Sequence, residues 1–207
     1  NTTVLQGIAA QNQIPLIVAP AAANDITGKD FNEYTFRTSR NNYQDAINEC
    51  AYLTKTYKTL VQIAPDYAFG VGSAAAFRDA CTLAGAEFVA DDVFAPATTT
   101  DFTAYMDPLK NSGAEAYIVT WAGSGFPALA KAAVDAGLNE NMALAATFID
   151  NVLMPLWYQD AVGSTNGILY HYQGPQNNPI NDFLVAQEVA RYGVHPDLFD
   201  ADGMNAA

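Results

Sequence analysis

The chain has 207 residues, half of them apolar, and a formal net charge of −13 at pH 7. Its length leaves room for one large or two modest domains, because a domain takes roughly 150 residues. Only nine residues are Lys or Arg, whereas phosphate binding needs clustered cations, so the composition argues against nucleic acid as a partner. No apolar run approaches the roughly 18 residues of a membrane span, so direct insertion into a membrane is not expected.

Hydrophobic periodicity and turn residues predict a regular order of elements. The first two thirds of the chain contain a helix at 2–11, a strand at 16–19, a loop at 20–29, a charged polar loop from 36, a helix capped by Asn41 or Asn42, a strand at 59–64, a helix at 73–83, a strand at 87–94, a helix at 102–110, a strand at 116–120, a helix at 127–136 and a strand at 142–146. The remainder contains an irregular helical segment at 151–159, a strand at 167–172, a helix at 179–192 and a last helix at 200–207.

Strands and helices alternate five times in this order, and their connections are short. The alternation favours right-handed βαβ units and a parallel sheet, which is the α/β class. Open sheets of this class bind ligands beyond the carboxyl ends of their strands. The loop that follows the strand at 59–64 carries Asp66, Tyr67 and Phe69, and we therefore expect it to meet a ligand.

The two cysteines, Cys50 and Cys81, each lie on a predicted helix that flanks the strand at 59–64. They form either one disulfide in an oxidising compartment or two buried thiols. Geometry decides between these alternatives, and spacing in the sequence does not determine it.

Sequence motifs for common chemistries are missing. The chain has no glycine-rich phosphate loop, no nucleophile elbow, no CxxC pair and no HExxH helix. His171 and His195 have no Cys or carboxylate at ligand spacing, so no metal site is expected. Nothing in the sequence brings Ser124, His171 and an Asp together as a triad. We therefore predict a protein that is not an enzyme and that needs no cofactor.

Aromatic and small residues are concentrated in the loops that follow predicted strands. These loops span residues 20–24, 66–69, 120–125 and 147–150. Sites for small organic ligands are mostly apolar and aromatic, with a few polar groups that fix orientation. Tyr67, Phe69, Trp121 and Phe148 therefore favour a small-molecule pocket, although ordinary packing explains any one of them equally well.

Several ordered segments carry a resemblance to a known family. They read PLIVAPAAANDITG, YTFRTSRNNYQDA, APDYAFGVGSAAAFRDA, TTTDFT, YIVTWAGSG with KAAVDAGL, and NPINDFLVAQEVARYG. Together they cover essentially the whole chain, which resembles the type I periplasmic solute-binding proteins of the leucine-binding family. It is most similar to a branch with an FRTxRN-xxQDA signature, some members of which take aromatic or other small organic acids.

The resemblance implies two doubly wound parallel-sheet lobes joined by a hinge. By this resemblance, residues 1–36 are the end of the first run of lobe one, 37–170 are lobe two, and 171–207 return to lobe one. Lobe one is then incomplete, and the chain is expected to be a piece of a longer protein. The family implies a periplasmic location, a small-molecule ligand captured by lobe closure, and the membrane permease of an ABC importer as partner.

The ligand contacts of the family can be carried over only position by position. Its pattern places a backbone carbonyl and then a hydroxyl residue in the loop occupied here by Ala21, Ala22 and Ala23, with Ala23 at the hydroxyl position. The aromatic expected after the first strand of lobe two matches Phe69. The tyrosine expected after the third strand falls on Ala122, beside Trp121.

The family's carboxylate for a ligand ammonium would lie near Phe148, and Asp150 is the nearest acid in the sequence. These departures weaken the interpretation as an amino-acid binder. Our hypothesis is a small carboxylate, with or without an aromatic ring, that Phe69, Trp121 and Phe148 sandwich; a hydrophobic amino acid is the alternative solute.

Arg40, Asn41 and Gln44 are predicted to hold the charged end of this ligand, because an Arg fork donates two parallel hydrogen bonds to a carboxylate. The alternative for Arg40 is a solvated surface arginine.

Two other functions remain open at this point. A ligand-sensing or regulatory domain of the same fold would have the same sequence pattern. An α/β enzyme would need a glycine-rich turn of a kind that the chain does not contain.

Overall fold

The computed structural model describes residues 2–122, 124–146, 165–166, 170–174 and 178–207, and only the backbone of 165–166. Two compact units divide the chain. Unit 1 combines Asn1–Asn42 with Tyr170–Ala207, and unit 2 is Tyr43–Leu169. The predicted lobe boundaries fell at 36/37 and 170/171, so unit 1 extends six residues further than the first of them.

The described elements follow in chain order. They are α1 (Thr2–Asn12), β1 (Leu16–Val18), a short 3-10 helix (Asn24–Thr27), β2 (Thr35–Arg37), α2 (Asn42–Leu53), β3 (Thr59–Pro65), α3 (Ala68–Leu83), β4 (Glu87–Phe88), β5 (Val93–Ala95), α4 (Thr103–Lys110), β6 (Ala116–Val119), α5 (Phe126–Asp135), α6 (Leu138–Asn141), β7 (Ala143–Ala146), β8 (Thr165–Asn166), α7 (Pro179–Tyr192) and α8 (Leu198–Ala206).

Unit 1 contains a two-stranded parallel sheet in which Ile17 of β1 is opposite Phe36 of β2. A buried glutamine in α1 holds the connection between these strands. The Gln6 side chain donates to the carbonyls of Ile26, at 2.9 Å, and Asp30, at 3.1 Å. The polar stretch from 36, predicted as a loop, therefore begins inside a strand, because the backbone of β2 pairs with β1 despite its short and polar sequence.

Unit 2 is built on a parallel sheet with the order β4, β3, β6, β7, β8, and β5 also pairs with β3. The parallel pairing predicted from the alternation of strands and helices is confirmed. Residues of β3 alternate between two cores. Val61 and Ile63 pack into one, with residues of α4 and α5, while Leu60 packs into the other, with residues of α2 and α3. Central strands covered on both faces are typical of α/β folds.

A disulfide joins Cys50 of α2 to Cys81 of α3, and both residues are buried. Of the two alternatives that the sequence left open, the structure thus contains the disulfide. It ties together the two helices that cover one face of the sheet next to β3.

Helix α3 begins at Ala68, five residues before the start predicted at 73. The aromatic and glycine residues after β3 form its first turn instead of a loop. This turn packs so closely on β3 that a Cβ at Gly70 would lie 2.0 Å from the Pro65 carbonyl oxygen. Glycine is therefore required at position 70, and the sequence pattern gave no sign of this contact.

The single strand predicted at 87–94 is wrong, because the chain forms β4 and β5 with a break at residues 89–92. Polar contacts fill this break. The Gln62 side chain, buried in the middle of β3, donates to the Asp92 carboxylate at 2.7 Å. Arg78 of α3 also donates to Asp92 and to the Ala90 carbonyl. These bonds turn the Asp92 side chain toward the sheet interior and interrupt the edge strand.

Other differences are small. Helix α6 was not predicted, and α8 begins at Leu198 because Asp197 and Asp200 form a capping box there. Of the strand predicted at 167–172, residues 170–172 are described and are not in a strand, whereas β8 lies at Thr165–Asn166. The irregular segment predicted at 151–159 lies outside the described residues.

Candidate functional site

The carboxyl ends of β3 and β6 lie side by side in unit 2. The two strands are parallel, and Ile63 is opposite Val119. The loops that follow them therefore emerge at the same edge of the sheet. β5 also ends there, because its Ala95 is opposite Pro65. We call residues 66–70, 96–102, 120–122 and 124–126 the unit 2 edge, and this is where an open α/β sheet places a ligand.

Two aromatic side chains at this edge are accessible. Tyr67 is 40% exposed and Phe69 is half-buried. Their ring centroids are 5.9 Å apart and the rings are tilted by 34°. Burial raises the pKa of the Tyr67 hydroxyl above its ordinary value, so the group stays protonated at neutral pH and can donate a hydrogen bond. The predicted ligand contacts Tyr67 and Phe69 thus lie together.

The unit 2 edge also contains the N-termini of two helices. α3 begins directly after β3, and α5 begins shortly after β6. Within the described residues, the Tyr67 side chain accepts no cap bond from α3, and Gly125, which precedes α5, has no side chain that could cap that helix. The positive ends of both helix dipoles lie at this edge and make it favourable for an anion.

Trp121 is too deeply buried to stack on a ligand. It is 3% exposed and belongs to the core on the α4 and α5 side. Phe102 packs edge-on against its ring, with a centroid distance of 4.9 Å and an interplanar angle of 85°. In this conformation Trp121 packs in the core beneath the unit 2 edge. Ala122, the next residue, is exposed.

Phe102 is the residue at this edge that the sequence interpretation missed. It stands directly before α4, is almost fully buried and packs against Trp121. A signal was present, since Phe102 lies within the TTTDFT segment that contributed to the family resemblance. Phe102 directly precedes a helix, whereas the aromatics predicted as ligand contacts lie in the loops that follow strands.

Gly125 brings two loops of the unit 2 edge into contact. A Cβ at this position would lie 2.9 Å from the Thr99 carbonyl oxygen and 3.3 Å from Nε1 of Trp121. Within the described part of the chain, this buried Nε1 has no hydrogen-bond partner. A side chain at position 125 would push the loops apart.

In unit 1 the loop after β1 contains Ala21, Ala22 and Ala23. Its carbonyls accept hydrogen bonds from the last residue of β2 and from the segment that follows β2. The Asn42 N–H donates to the Ala22 carbonyl at 2.8 Å, and Nη1 of Arg37 donates to the Ala23 carbonyl at 2.7 Å. Loop and segment are therefore held together by polar contacts at the carboxyl ends of β1 and β2. We call residues 19–24 and 37–42 the unit 1 edge.

Arg40 is not a solvated surface residue, because its side chain is only 14% exposed. Its Nη1 donates to the Pro20 carbonyl at 3.0 Å and to the Asp202 carboxylate of α8 at 2.9 Å. Burial raises the pKa of Asp202, and the nearby Arg40 charge only partly opposes this effect. The guanidinium that was predicted to hold a ligand carboxylate thus already faces a carboxylate of the protein.

The other residues predicted to contact a ligand are Asn41, Gln44, Phe148 and Asp150. Asn41 is half-buried in the unit 1 edge, and Gln44 is exposed in the first turn of α2. Phe148 and Asp150 lie outside the described residues.

Among the described residues, no cluster of three or more His, Cys, Asp and Glu side chains could hold a metal ion. The helices described are also too short or too polar for any of them to cross a membrane.

Comparison with known proteins identifies relatives over the whole chain. The model of a family described as "Periplasmic binding protein" matches residues 1–207. The "Leu/Ile/Val-binding protein homolog 6" of Brucella melitensis is 30% identical over 87% of this chain and 46% of its own length. The chain thus spans about half the length of this relative.

Two crystal structures from Rhodopseudomonas palustris illustrate the structural similarity. An ABC-type branched-chain amino acid transporter protein is 35% identical, with a TM-score of 0.74 over 99% of this chain and 55% of that protein. A solute-binding protein in complex with 4-hydroxybenzoate is 22% identical, with a TM-score of 0.85 over 100% of this chain and 56% of that protein. The second similarity concerns the fold alone.

Proposed function

Because the chain belongs to the periplasmic binding protein family, we propose that it contributes solute-recognition surface to the binding component of an ABC importer. The proposed solute is a small organic carboxylate, either a simple acid or a hydrophobic amino acid. The family binds solutes and is not enzymatic, so the proposed role is capture without a chemical step. Delivery to the membrane permease, and the lobe closure that the resemblance implies, are part of the same proposal.

The observation that carries the proposal is the composition of the unit 2 edge. The positive dipole ends of α3 and α5 favour a negative charge, while Tyr67 and Phe69 offer apolar ring surface at the same edge. A ligand that combines a carboxylate with a compact apolar body matches both features. Neither an extended polar ligand nor a cation matches them as well.

The similar proteins guide the choice of solutes to test. One similar structure is named for branched-chain amino acid transport, and another contains 4-hydroxybenzoate. Both solutes are small carboxylates, and they differ in the amino group and in the apolar part. A panel must therefore include aromatic acids, aliphatic acids and hydrophobic amino acids.

A thermal-shift screen tests the proposal. A ligand that binds only the folded protein stabilises it by about 2.7 kcal/mol at a concentration of 100 times Kd. For a protein of this size, that corresponds to a rise in Tm of roughly 5–10 °C. We expect benzoate, 4-hydroxybenzoate, 4-methylpentanoate or leucine to produce such a rise.

Neutral analogues are the matched control. Benzamide has the shape of benzoate without its charge, and leucinamide has that of leucine without the carboxylate. We expect both to leave Tm unchanged, because the helix N-termini interact with the charge. A panel in which no carboxylate raises Tm, or in which amides do so equally, would contradict the proposal.

A further inference from the structure

The N-terminus of α5 has a feature that indicates where in the unit 2 edge the charged end of a ligand binds, and the inference drawn from it rests on the proposed function. α5 begins at Phe126, and the positive end of its dipole lies at this edge. Pro127 is the second residue of the helix and has no N–H. The first turn of α5 therefore offers an anion one backbone donor fewer than the first turn of an ordinary helix.

A side-chain donor lies beside this helix terminus. The indole N–H of Trp121 is buried, and its Nε1 has no hydrogen-bond partner within the described part of the chain. Gly125, the residue before α5, fixes where this atom is, because a Cβ at Gly125 would lie 3.3 Å from Nε1. The indole nitrogen thus lies next to the point at which α5 begins.

Packing explains the ring of Trp121 and does not explain its N–H. The ring is in edge-on contact with Phe102 in the core of unit 2, and a purely apolar side chain would serve that contact equally well. A buried donor without a partner is uncommon in folded proteins, because burial removes its bond with water and nothing replaces that bond. Such a group indicates a partner that arrives from outside the chain.

We infer that the ligand carboxylate binds at the N-terminus of α5 and accepts a hydrogen bond from Nε1 of Trp121. The indole donor takes the place of the N–H that Pro127 lacks, and the dipole of α5 adds to the attraction. Nε1 is closed to solvent in this conformation, so the loops that contain Thr99 and Gly125 must move apart to admit a carboxylate oxygen. Glycine at position 125 favours this approach, because a side chain there would lie against Nε1.

The donor also determines which end of the ligand faces α5. Trp121 offers one N–H and no acceptor, and the core around it is apolar. A carboxylate oxygen gains most from such a donor, an uncharged amide oxygen gains less, and an ammonium group gains nothing. The carboxylate end of a small organic acid or amino acid is therefore the part that binds here, at α5 and not at α3.

The indole N–H signals report on this bond directly in a heteronuclear NMR titration of the whole chain. The chain contains two tryptophans, Trp121 and Trp157, so Trp121→Phe assigns both signals. The ligand pairs are benzoate with benzamide and leucine with leucinamide. We expect the carboxylate that binds to move the Trp121 proton signal downfield, because the proton enters a charge-assisted hydrogen bond, and we expect its amide partner to leave the signal in place.

Affinity is the second measurement. Trp121→Phe keeps an aromatic ring in the core and removes the N–H, and we expect it to weaken binding of the same carboxylate about tenfold in calorimetry. Tyr117→Phe is the matched control, because it removes a polar group from another buried aromatic of the same core, one that donates to Asn139. We expect Tyr117→Phe to leave the affinity unchanged.

A Trp121 signal that stays in place when the carboxylate saturates the protein would overturn the inference and leave the proposed function intact, because saturation itself shows binding. Equal losses of affinity in Trp121→Phe and Tyr117→Phe would also overturn it, since altered packing would explain both. If Trp121→Phe fails to fold, Trp157→Phe assigns the signals and the titration still decides. Binding of no carboxylate would contradict the proposed function, and the inference with it.

Discussion

The loops at the strand ends of the two units are stabilised by different kinds of contact. At the unit 1 edge, carbonyl oxygens after β1 accept hydrogen bonds from Arg37, Arg40 and the Asn42 backbone. At the unit 2 edge, two helix N-termini have no side-chain caps in the described part of the chain, and the support below them is apolar. The first edge is held by polar contacts within unit 1, whereas the second combines two helix dipoles with apolar packing.

This difference has a physical consequence for stability. Polar contacts at the unit 1 edge depend on charge and give a modest net free energy each, because every bond replaces one with water. The unit 2 edge depends on close packing of Phe102 against Trp121, and buried aromatic surface contributes more per residue. Substitutions at the two edges should therefore differ in the size of their effect on stability and in how that effect depends on pH.

The largest effect is expected from removal of the apolar support. Phe102→Ala should lower the free energy of unfolding by about 4 kcal/mol, because truncation of a buried Phe leaves a cavity. Chemical denaturation monitored by Trp fluorescence measures this loss. Phe31→Ala is the matched control, since Phe31 is exposed, and it should change stability by less than about 0.5 kcal/mol. Equal effects of the two substitutions would mean that Phe102 does not support the edge.

A buried carboxyl group gives the next largest effect, and it depends on pH. Burial and, to a lesser extent, the neighbouring Asp45 raise the pKa of Glu49 to about 7. Ionisation therefore costs more in the folded chain than in the unfolded chain. The contribution of Glu49 is most favourable below its unfolded pKa of 4.5, and it is lost as pH rises toward 7.

Between these pH values, ionisation of Glu49 lowers the free energy of unfolding by about 3 kcal/mol. Glu49→Gln should therefore gain stability relative to the unsubstituted protein as pH rises from 4.5 to 8, when urea denaturation is measured at several values. The exposed control Glu87→Gln should leave the profile unchanged. A parallel profile for Glu49→Gln and the unsubstituted protein would show that Glu49 ionises normally.

The two residues of the Arg40–Asp202 ion pair should differ in how much their substitution destabilises the protein. Arg40→Gln should cost about 2 kcal/mol, because it leaves the buried Asp202 carboxylate without its cation and weakens the contact with Pro20. Asp202→Asn should cost less than about 1 kcal/mol, because the raised pKa of Asp202 means that burial of its charge offsets much of the attraction. Thermal denaturation of both variants at pH 7 measures the difference. Equal losses would mean that burial does not oppose the Asp202 charge.

Much of the fold was predictable because it follows from periodicity. The parallel sheet, the bounds of the helix at Pro179–Tyr192 and the placement of Cys50 and Cys81 on helices beside β3 are local or alternating patterns. The break between β4 and β5 was not predictable, because it depends on Gln62 and Asp92, which are 30 residues apart. The early start of α3 similarly depends on a close backbone contact at Gly70.

The candidate site was predictable in position and less so in detail. Aromatics after strands indicated the unit 2 edge, and Tyr67 and Phe69 lie there as accessible residues. The same pattern did not reveal that Trp121 turns into the core, because its burial depends on Phe102 from another segment. Nor did it reveal that Arg40 faces Asp202, which is 162 residues away. Residue type and spacing locate a strand end, whereas tertiary partners determine which side chains remain available there.

The central claim is that the unit 2 edge binds a small carboxylate, and one calorimetric comparison tests it most directly. The acid that raises Tm most in the screen is titrated into the unsubstituted protein, Tyr67→Ala and Tyr52→Ala. Both tyrosines are exposed residues of unit 2, and Tyr52 lies near the C-terminal end of α2. We predict that Tyr67→Ala weakens binding about tenfold, the loss of about 1.4 kcal/mol expected for one aromatic contact, and that Tyr52→Ala leaves the affinity unchanged. Unchanged affinity in Tyr67→Ala would contradict the claim.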